Sequence, residues 1–183
     1  MLIIKIVLIL LLSIFVDIKI YNYFKFKNNE YIEIKKITNS INNNYNNIPI
    51  KTTKEIVMES KEYIGYIKIE KYNINKLIMF GTSDSILNKN VVGLYKDLMP
   101  LDSNVGVTLL AGHNNNFVFK NLNKLEIDDE IIIGSKQNIY KYKVVSKRVI
   151  SKNDFSIFEE KDERVVILMT CVNEDLRLII ICK

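Results

Sequence analysis

The amino-acid sequence predicts a mainly β fold: a small closed or half-closed barrel of about eight strands with short helices, preceded by an N-terminal transmembrane helix. Three observations lead to this prediction. Short apolar runs rich in Ile and Val recur between turn residues over residues 62–183, a pattern typical of strands. Residues 1–22 are largely apolar and lack this pattern. The chain has 183 residues, which is enough for one domain with appendages.

The elements of the domain follow from where the apolar runs begin and end. Gly81 ends the second run, and residues 134–137 form a predicted turn before a long alternating run. Ser83 is the predicted N-cap of a short helix through residues 85–87. Residues 117–125 have the apolar spacing of a short amphipathic helical turn. The predicted strands are residues 63–69, 74–80, 105–111, 130–133, 139–150, 165–170 and 176–181.

Residues 1–22 are predicted to be a membrane anchor. Residues 6–16 are apolar apart from Ser13. This run is short for a membrane span, and its length suits the apolar part of a signal peptide equally well. No cleavage site with small residues follows at Asp17, so we expect the segment to stay attached to the protein.

Residues 23–61 are predicted to be a polar stalk between the anchor and a domain at residues 62–183. The stalk is rich in Asn, especially at residues 42–47. Such a segment has little apolar periodicity and is expected to be partly helical near the membrane and loosely ordered beyond it. The alternative is that this segment packs on the domain.

Charge and cysteine content exclude several classes of function. The net charge is +5, and Lys and Arg are interspersed with Asp and Glu, so no basic run predicts nucleic-acid binding. The excess positive charge suits a position near an anionic membrane surface. Two cysteines and one histidine build neither a disulfide framework nor an ordinary zinc site. We expect no metal and no cofactor, which leaves thiol chemistry.

Three residues could support that chemistry. His113 follows one predicted strand, Cys171 ends another, and Arg177 opens the last. A thiolate is a strong nucleophile, an imidazole exchanges protons near neutral pH, and a guanidinium stabilises a developing oxyanion. Together they suit acyl transfer through a thioester. Each residue also has an ordinary structural interpretation. Cys171 could be a small buried apolar side chain, His113 a surface residue and Arg177 a solvated charge.

The segments around these residues resemble the sortase family. Thr108-Leu109-Leu110-Ala111-Gly112-His113 is similar to the family's strand ending in Ala-Gly-His. Ile167-Leu168-Met169-Thr170-Cys171 is similar to its Thr-Leu-x-Thr-Cys motif, with Ile167 in place of the first Thr, and Arg177 begins a similar final strand. Supporting similarities lie, in the family's order, at residues 64–69, 87–93 and 119–122.

The resemblance implies a barrel-shaped transpeptidase outside the membrane of a Gram-positive-type cell. Such an enzyme cleaves a C-terminal sorting signal of the Leu-Pro-x-Thr-Gly type after the Thr. An amine from a cell-wall precursor or a pilin lysine then resolves the acyl-enzyme. The implied roles are nucleophile for Cys171, general acid and base for His113, and substrate and oxyanion stabiliser for Arg177. The expected partners are therefore surface proteins that carry a sorting signal, the accepting amine, and membrane lipid around the anchor.

The extracytoplasmic placement rests on this resemblance alone. Lys19, Lys25 and Lys27 follow the apolar run, whereas Lys5 and the amino terminus precede it. The positive-inside rule by itself would place the domain in the cytoplasm.

A substrate groove is expected beside the three residues. The resemblance implies that Thr170, Ala111 and Met169 line the site. The polar loop at residues 151–163 contains three apolar residues that could hold the Leu-Pro part of the signal, or could only anchor the loop: Phe155, Ile157 and Phe158.

Finer expectations concern the subclass and the second cysteine. The stalk has no clear aromatic lid and the protein has no Trp, which favours a class A-like or D-like enzyme over a pilin polymerase. Calcium is not predicted, since Glu159 and Glu160 have no good acidic partner. Cys182 lies five positions after Arg177 and should face the opposite side of its strand, buried and inert. The alternatives to a transpeptidase are a non-catalytic binding or assembly module and a hydrolytic cysteine protease.

Overall fold

A closed eight-stranded barrel forms the body of the protein. The computed structural model describes residues 2–43, 63–159 and 161–183. The strands are β1 (Tyr63–Ile69), β2 (Ile74–Phe80), β3 (Val92–Leu94), β4 (Gly106–Ala111), β5 (Glu130–Ser135), β6 (Ile139–Ser151), β7 (Arg164–Cys171) and β8 (Leu176–Cys182). The helices are α1 (Leu2–Asn43) and α2 (Asp84–Leu87), with 3-10 turns at Glu70–Tyr72, Leu122–Lys124 and Ser156–Phe158.

The strands pair in the order β1-β2-β3-β4-β7-β8-β6-β5, and β5 returns to β1 to close the barrel. Most neighbours are antiparallel. The exceptions are β2 with β3 and β4 with β7, which run parallel. Because β4 and β7 are parallel, their carboxyl ends lie side by side at one end of the barrel. Those ends lead into His113 and Cys171.

The predicted strands are confirmed to within one residue at most ends. The largest difference is in β5, which extends into the expected turn and ends at Ser135. Strand β3 was not predicted, because three residues are too few to display an alternating pattern. Ser83 does occupy the N-cap of α2. The expected helical turn at residues 117–125 is a 3-10 turn at Leu122–Lys124.

Each strand of the barrel contributes apolar side chains to the interior. One buried cluster draws on all eight strands, with fully buried members such as Ile67, Ile133 and Leu168. A second cluster lies on the other face of β4, β7 and β8, where Ile157 of the β6–β7 loop packs against Ile167 and Ile179. The barrel sheet is therefore covered on both faces at the strands that lead to His113 and Cys171.

Helix α1 runs unbroken through residue 22 and well into the expected stalk, whose first part was predicted to be helical. Its N-terminal half exposes apolar side chains. Among the described residues, no helix combines the length and the hydropathy needed to cross a bilayer. Its C-terminal half packs on the barrel, where Ile34, Ile37 and Ile41 join a cluster with Leu77 and Met79 of β2. For this described part of the segment, the packing corresponds to the alternative in which it lies on the domain.

The division at residues 22 and 61 stays a prediction. The rest of the expected stalk, residues 44–61, lies outside the described residues.

A buried ion pair ties α1 to the barrel. The Lys76 ammonium of β2 donates to both carboxylate oxygens of Glu30, at 2.9 and 2.8 Å. Their side chains are only 3% and 5% exposed. Burial lowers the pKa of Lys76 to about 8, although the hydrogen bond to Glu30 opposes this shift. Because both charges are removed from water, each depends on the other for compensation.

Removal of one partner should therefore destabilise the protein strongly. We expect Glu30→Ala to lower the free energy of unfolding by about 3–5 kcal/mol, because it leaves the Lys76 charge buried without a counterion. The matched control is Glu33→Ala, which breaks the exposed Glu33–Lys36 pair and should cost about 0.5 kcal/mol. Urea denaturation of the full chain in detergent measures both. Equal losses in the two variants would contradict the buried role of Glu30.

Candidate active site

Cys171 and Arg177 face each other at the open end of the barrel. They are directly paired across the antiparallel β7–β8 ladder, so their side chains lie on the same face of the sheet. Cys171 is exposed and Arg177 is half-buried. A five-residue connection separates them, and the Val172 amide closes it by donating to the Leu176 carbonyl. The ladder thus fixes a thiol and a guanidinium as neighbours in contact with solvent.

The segment that carries His113 is fastened to the strand that carries Cys171. The Gly112 amide donates to the Met169 carbonyl at 3.1 Å, which extends the β4–β7 ladder past the end of β4. The buried Thr170 hydroxyl donates to the Gly112 carbonyl at 2.7 Å. Both backbone groups of Gly112 are therefore bound to β7, immediately before His113.

Thr170 differs from the expectation that it lines the substrate site. Its side chain is 3% exposed, and its hydroxyl is engaged by Gly112. Alternation along β7 points Met169 and Cys171 to one face and Thr170 to the other. Thr170 thus stabilises the turn from behind rather than presenting a group to a ligand.

A glycine is required at position 112 because the chain folds back closely on it. A Cβ there would lie 2.7 Å from Val118 Cγ1 and 2.8 Å from Phe119 Cδ2. The His113 carbonyl accepts the amides of Asn115 and Phe119, both at 3.0 Å. Residues 113–119 therefore form a tight loop, called here the His113 loop.

The imidazole of His113 is oriented by Asn88, which follows α2. The two side chains meet at 3.1 Å, between His113 Nε2 and Asn88 Oδ1. An amide oxygen only accepts hydrogen bonds, so this contact is a hydrogen bond in the tautomer whose Nε2 carries the proton. In the neutral ring, Nδ1 then carries the lone pair and is the atom that can take up a proton.

Asn114 forms a third connection between the loop and the β7 strand. Its side-chain amide donates to the Cys171 carbonyl at 2.9 Å. Sequence reasoning missed the roles of Asn88 and Asn114, since the Asn-rich composition made any single Asn uninformative. The available signals were position only: Asn88 lies in a segment similar to the family's, and Asn114 directly follows His113.

The Arg177 guanidinium reaches the connection between β7 and β8. Its Nη1 donates to the carbonyls of Asn173 and Leu176 at 3.1 and 3.0 Å, and more weakly to Glu174. A guanidinium has five N–H donors, and the three on Nε and Nη2 remain for other partners. These contacts hold a permanent positive charge beside the thiol strand.

Two of the expected groove residues, Ala111 and Met169, lie on the same face of β4 and β7 as Cys171. Ala111 and Met169 are paired across the parallel ladder and belong to the second apolar cluster. Ile157 is buried in that cluster and anchors the loop, which is the alternative interpretation for this residue. Phe158 stacks on Tyr95 with ring centroids 5.3 Å apart, and Phe155 is 67% exposed. Aromatic side chains thus border this face, and one of them, Phe155, is largely exposed to solvent.

The two cysteines have opposite environments. Cys182 is fully buried in the barrel interior, and burial raises the pKa of its thiol to about 12. It faces the other side of β8 from Arg177, as its spacing predicts. Cys171 is a free, exposed thiol. Among the described residues, no three His, Cys, Asp or Glu side chains are grouped as metal ligands.

Thiol labelling should distinguish the two cysteines. In the native protein we expect iodoacetamide to modify one thiol rapidly, because only Cys171 is exposed and a protonated buried thiol is a poor nucleophile. Cys171→Ser should abolish this rapid phase, whereas Cys182→Ser should leave it unchanged. Unfolding in guanidinium chloride should expose both thiols. Two thiols labelled at equal rates in the native protein would contradict this arrangement.

Comparison with known proteins identifies the family. The family model of the sortase domain matches residues 67–183, well over half of the chain. Sortase D of Bacillus subtilis (strain 168) is 34% identical over 116 residues, which cover 62% of this chain and 56% of that protein. This chain thus spans just over half the length of that curated relative. The similarity to Sortase D agrees with the expected class A-like or D-like subclass.

Solved structures share the barrel. A Clostridium perfringens Sortase D5 transpeptidase superposes with a TM-score of 0.68 at 27% identity, covering 84% of this chain and 96% of that chain. Sortase E1 from Streptomyces coelicolor superposes with a TM-score of 0.60 at 27% identity, covering 67% and 87% respectively. The match over residues 67–183 and the shared eight-stranded barrel lead to one conclusion: this chain belongs to the sortase family.

Proposed function

We propose that this protein is a cysteine transpeptidase. It would cleave a C-terminal sorting signal of the Leu-Pro-x-Thr-Gly type after the Thr and transfer the new carboxyl end to an amine. One observation carries the proposal: Cys171, whose thiol is exposed, is the direct cross-strand partner of Arg177, and its carbonyl accepts a hydrogen bond from Asn114 in the loop that carries the only histidine. The relatives support it, because the Clostridium perfringens protein is named a transpeptidase and the Sortase E1 structure holds a tripeptide in its active site.

The first half-reaction forms a thioester. The Cys171 thiolate attacks the carbonyl carbon of the Thr–Gly bond, and a C–S bond forms while the carbonyl oxygen becomes an oxyanion. The remaining N–H donors of Arg177 stabilise that oxyanion. As the tetrahedral intermediate collapses, the C–N bond breaks and His113 donates a proton to the departing glycine amine.

The second half-reaction reverses these roles. An incoming amine attacks the thioester carbonyl, and His113 accepts a proton from it. The C–S bond breaks and Cys171 leaves as the thiolate. One amide bond is broken and another is formed, so no oxidant, reductant or nucleotide is consumed. The accepting amine would come from a cell-wall precursor or a pilin lysine, and the acylated partner would be a surface protein.

The apolar face beside Cys171 supports recognition of the Leu-Pro part of the signal. Ala111 and Met169 form its floor, next to the reactive thiol. The stacked rings of Phe158 and Tyr95 form one wall, and exposed Phe155 stacks on Phe158 with centroids 6.0 Å apart. Apolar and aromatic surfaces of this kind suit a short peptide with Leu and Pro side chains.

Two alternatives remain distinguishable by experiment. A non-catalytic binding module would use the same groove without turnover, but it would have no need of an exposed thiol beside a guanidinium. A hydrolytic cysteine protease would use the same residues and release its product to water. The three functions differ in whether a sorting peptide is cleaved and in whether an added amine is incorporated.

A quenched fluorescent peptide containing Leu-Pro-x-Thr-Gly tests the proposal with the full chain in detergent. We expect cleavage that an added amine accelerates, with the amine joined to the Thr carboxyl end in the mass spectrum. Cleavage without amine incorporation would favour the hydrolase. An absence of cleavage on every sorting peptide tried would favour the binding module.

Variants of the reacting groups provide the controls. Cys171→Ala should lower kcat/KM by roughly 10³-fold or more, since the nucleophile is removed. Arg177→Ala should lower it by roughly 10²-fold or more. Arg177→Lys should fall between wild type and Arg177→Ala, because it keeps the charge without the forked donors. Cys182→Ser should leave kcat/KM unchanged. Persistent activity in Cys171→Ala would overturn the assigned nucleophile.

We further infer that the N-terminal half of α1 anchors the protein to a membrane, with the barrel outside the cell. Its apolar side chains are exposed around the helix, for example 60% for Leu8 and 63% for Leu12. A helix that is apolar on all sides is unfavourable in water and requires an apolar environment. Membership of a family typically associated with Gram-positive membranes also supports this inference.

Substitution within the apolar run tests the anchor. The full chain expressed in a Gram-positive host should stay with the membrane after carbonate extraction. The double change Leu8→Asp with Leu12→Asp should release it, because each Asp costs about 3 kcal/mol at the centre of a membrane helix. The matched control, Asn28→Asp with Asn39→Asp, adds the same charges at exposed positions farther along α1 and should have no effect. Retention of the Leu8 and Leu12 variant on membranes would contradict the anchor.

A further inference from the structure

Helix α1 contacts the loop that carries the histidine. Phe117 of the His113 loop packs its ring against Tyr23 and Phe26, with centroid distances of 6.0 and 6.3 Å. No part of the proposed chemistry uses these rings. We propose that the docked half of α1, residues 23–41, is a positioning element of the active site that holds His113 in place.

The docked residues form one stripe along α1. Phe26 and the buried residues Glu30, Ile34, Ile37 and Ile41 follow one another at intervals of three or four positions, which keeps them on one helix face. Ile34, Ile37 and Ile41 provide the apolar contact with the barrel. Phe26 lies at the N-terminal end of the stripe, next to Phe117.

The stripe approaches His113 from two sides. On one side, the ring contact reaches Phe117, and the Phe117 amide donates to Asn115 Oδ1 within the His113 loop. On the other side, the cluster of α1 isoleucines includes Val91 and the half-buried Ile86. Those two residues flank Asn88, whose side chain orients the His113 ring. The Phe117 side is thus in direct ring contact with α1, and the Asn88 side shares an apolar cluster with it.

The buried ion pair sets the position of the helix at this place. Glu30 lies one turn after Phe26, and the Lys76 ammonium is 5.5 Å from the centroid of the Phe26 ring. A bidentate pair in a buried site tolerates little sliding, because a shift would leave two charges without compensation. The pair thus fixes the register of α1, and the register places Phe26 against Phe117.

A positioning role predicts a local effect when the ring contact is lost. In Phe26→Ala, the His113 loop should open more often while the barrel stays intact. Amide exchange reports such local opening separately from global unfolding. The informative amides are those of Val118, Phe119 and Lys120, because all three donate to acceptors inside the loop.

Hydrogen exchange with mass spectrometry on the full chain in detergent measures this effect. We expect peptides covering residues 113–121 to exchange about tenfold faster in Phe26→Ala, with strands β5 and β6 unchanged. The matched control is Tyr31→Ala, an aromatic-to-alanine change on the exposed face of the same helix, which should leave exchange at wild-type rates. Tyr23→Ala removes the other ring contact at an exposed position and serves as the test if Phe26→Ala does not fold.

The outcomes separate positioning from general stabilisation. Faster exchange confined to the His113 loop supports the proposal. Unchanged exchange in that loop, or equal acceleration throughout the barrel, overturns it. Because His113 is the only histidine, the NMR signals of its ring protons can be assigned without ambiguity. Those signals should shift or broaden in Phe26→Ala and match wild type in Tyr31→Ala.

The catalytic consequence rests on the proposed function. On the sorting peptide, Phe26→Ala should lower kcat about tenfold with KM unchanged, because a misplaced acid–base group slows chemistry more than binding. If the wild-type chain cleaves no peptide while loop exchange responds as expected, the proposed function fails and the positioning role stands. If the wild type is active and Phe26→Ala behaves like Tyr31→Ala, the positioning role fails alone.

Discussion

The parallel pairing of β4 with β7 is the constraint on which the site depends. Parallel strands end at the same edge of a sheet, so the residues that follow β4 and end β7 become neighbours. The ladder continues one step beyond β4 through the Gly112 amide, and the Thr170 hydroxyl occupies the Gly112 carbonyl. These two bonds join Gly112 to residues 57 and 58 positions later in the chain, Met169 and Thr170. They fix the backbone immediately before His113 relative to that of Cys171.

The site is built on rigid elements, with its flexible side chains secured by a second layer of hydrogen bonds. Cys171 and Arg177 are fixed by a strand ladder, whereas His113 lies on a loop and depends on neighbours for its orientation. Asn88 binds the ring and Asn114 binds the Cys171 carbonyl. A loop residue with such supports can keep a defined geometry without being buried, which leaves the histidine accessible from solvent.

Helix α1 connects the apolar N-terminal end of the chain with this arrangement. The buried pair of Lys76 and Glu30 is costly to form from two solvated charges, and its specific geometry restricts where the helix can lie. Only about 15 Å of helix separate Val16, the end of the apolar run, from Phe26, at a rise of 1.5 Å per residue. If the N-terminal half of α1 is embedded in a membrane, as proposed, the His113 loop lies close to the bilayer.

Much of the barrel was predictable because its strands are marked locally by alternation and by turn residues. Strand β3 was missed, since three residues give no period. It is recognisable as a strand only once its partners β2 and β4 are in place. The docked stripe of α1 was also missed. Glu30 interrupts it with a charge, and that charge makes sense only beside Lys76, 46 residues later in the chain.

The sequence by itself determined which residues are candidates for the chemistry: one histidine, one cysteine ending an apolar run before an arginine, and motifs similar to those of the sortase family. These features depend on residue identity and local pattern, which the chain displays directly. Tertiary structure decided which side chains surround that chemistry. It buried Thr170 behind the site and brought α1 to the His113 loop. It also placed Asn88 against the His113 ring and Asn114 against the Cys171 carbonyl. Such contacts depend on strand register and on pairs distant in sequence, and no local pattern specifies them.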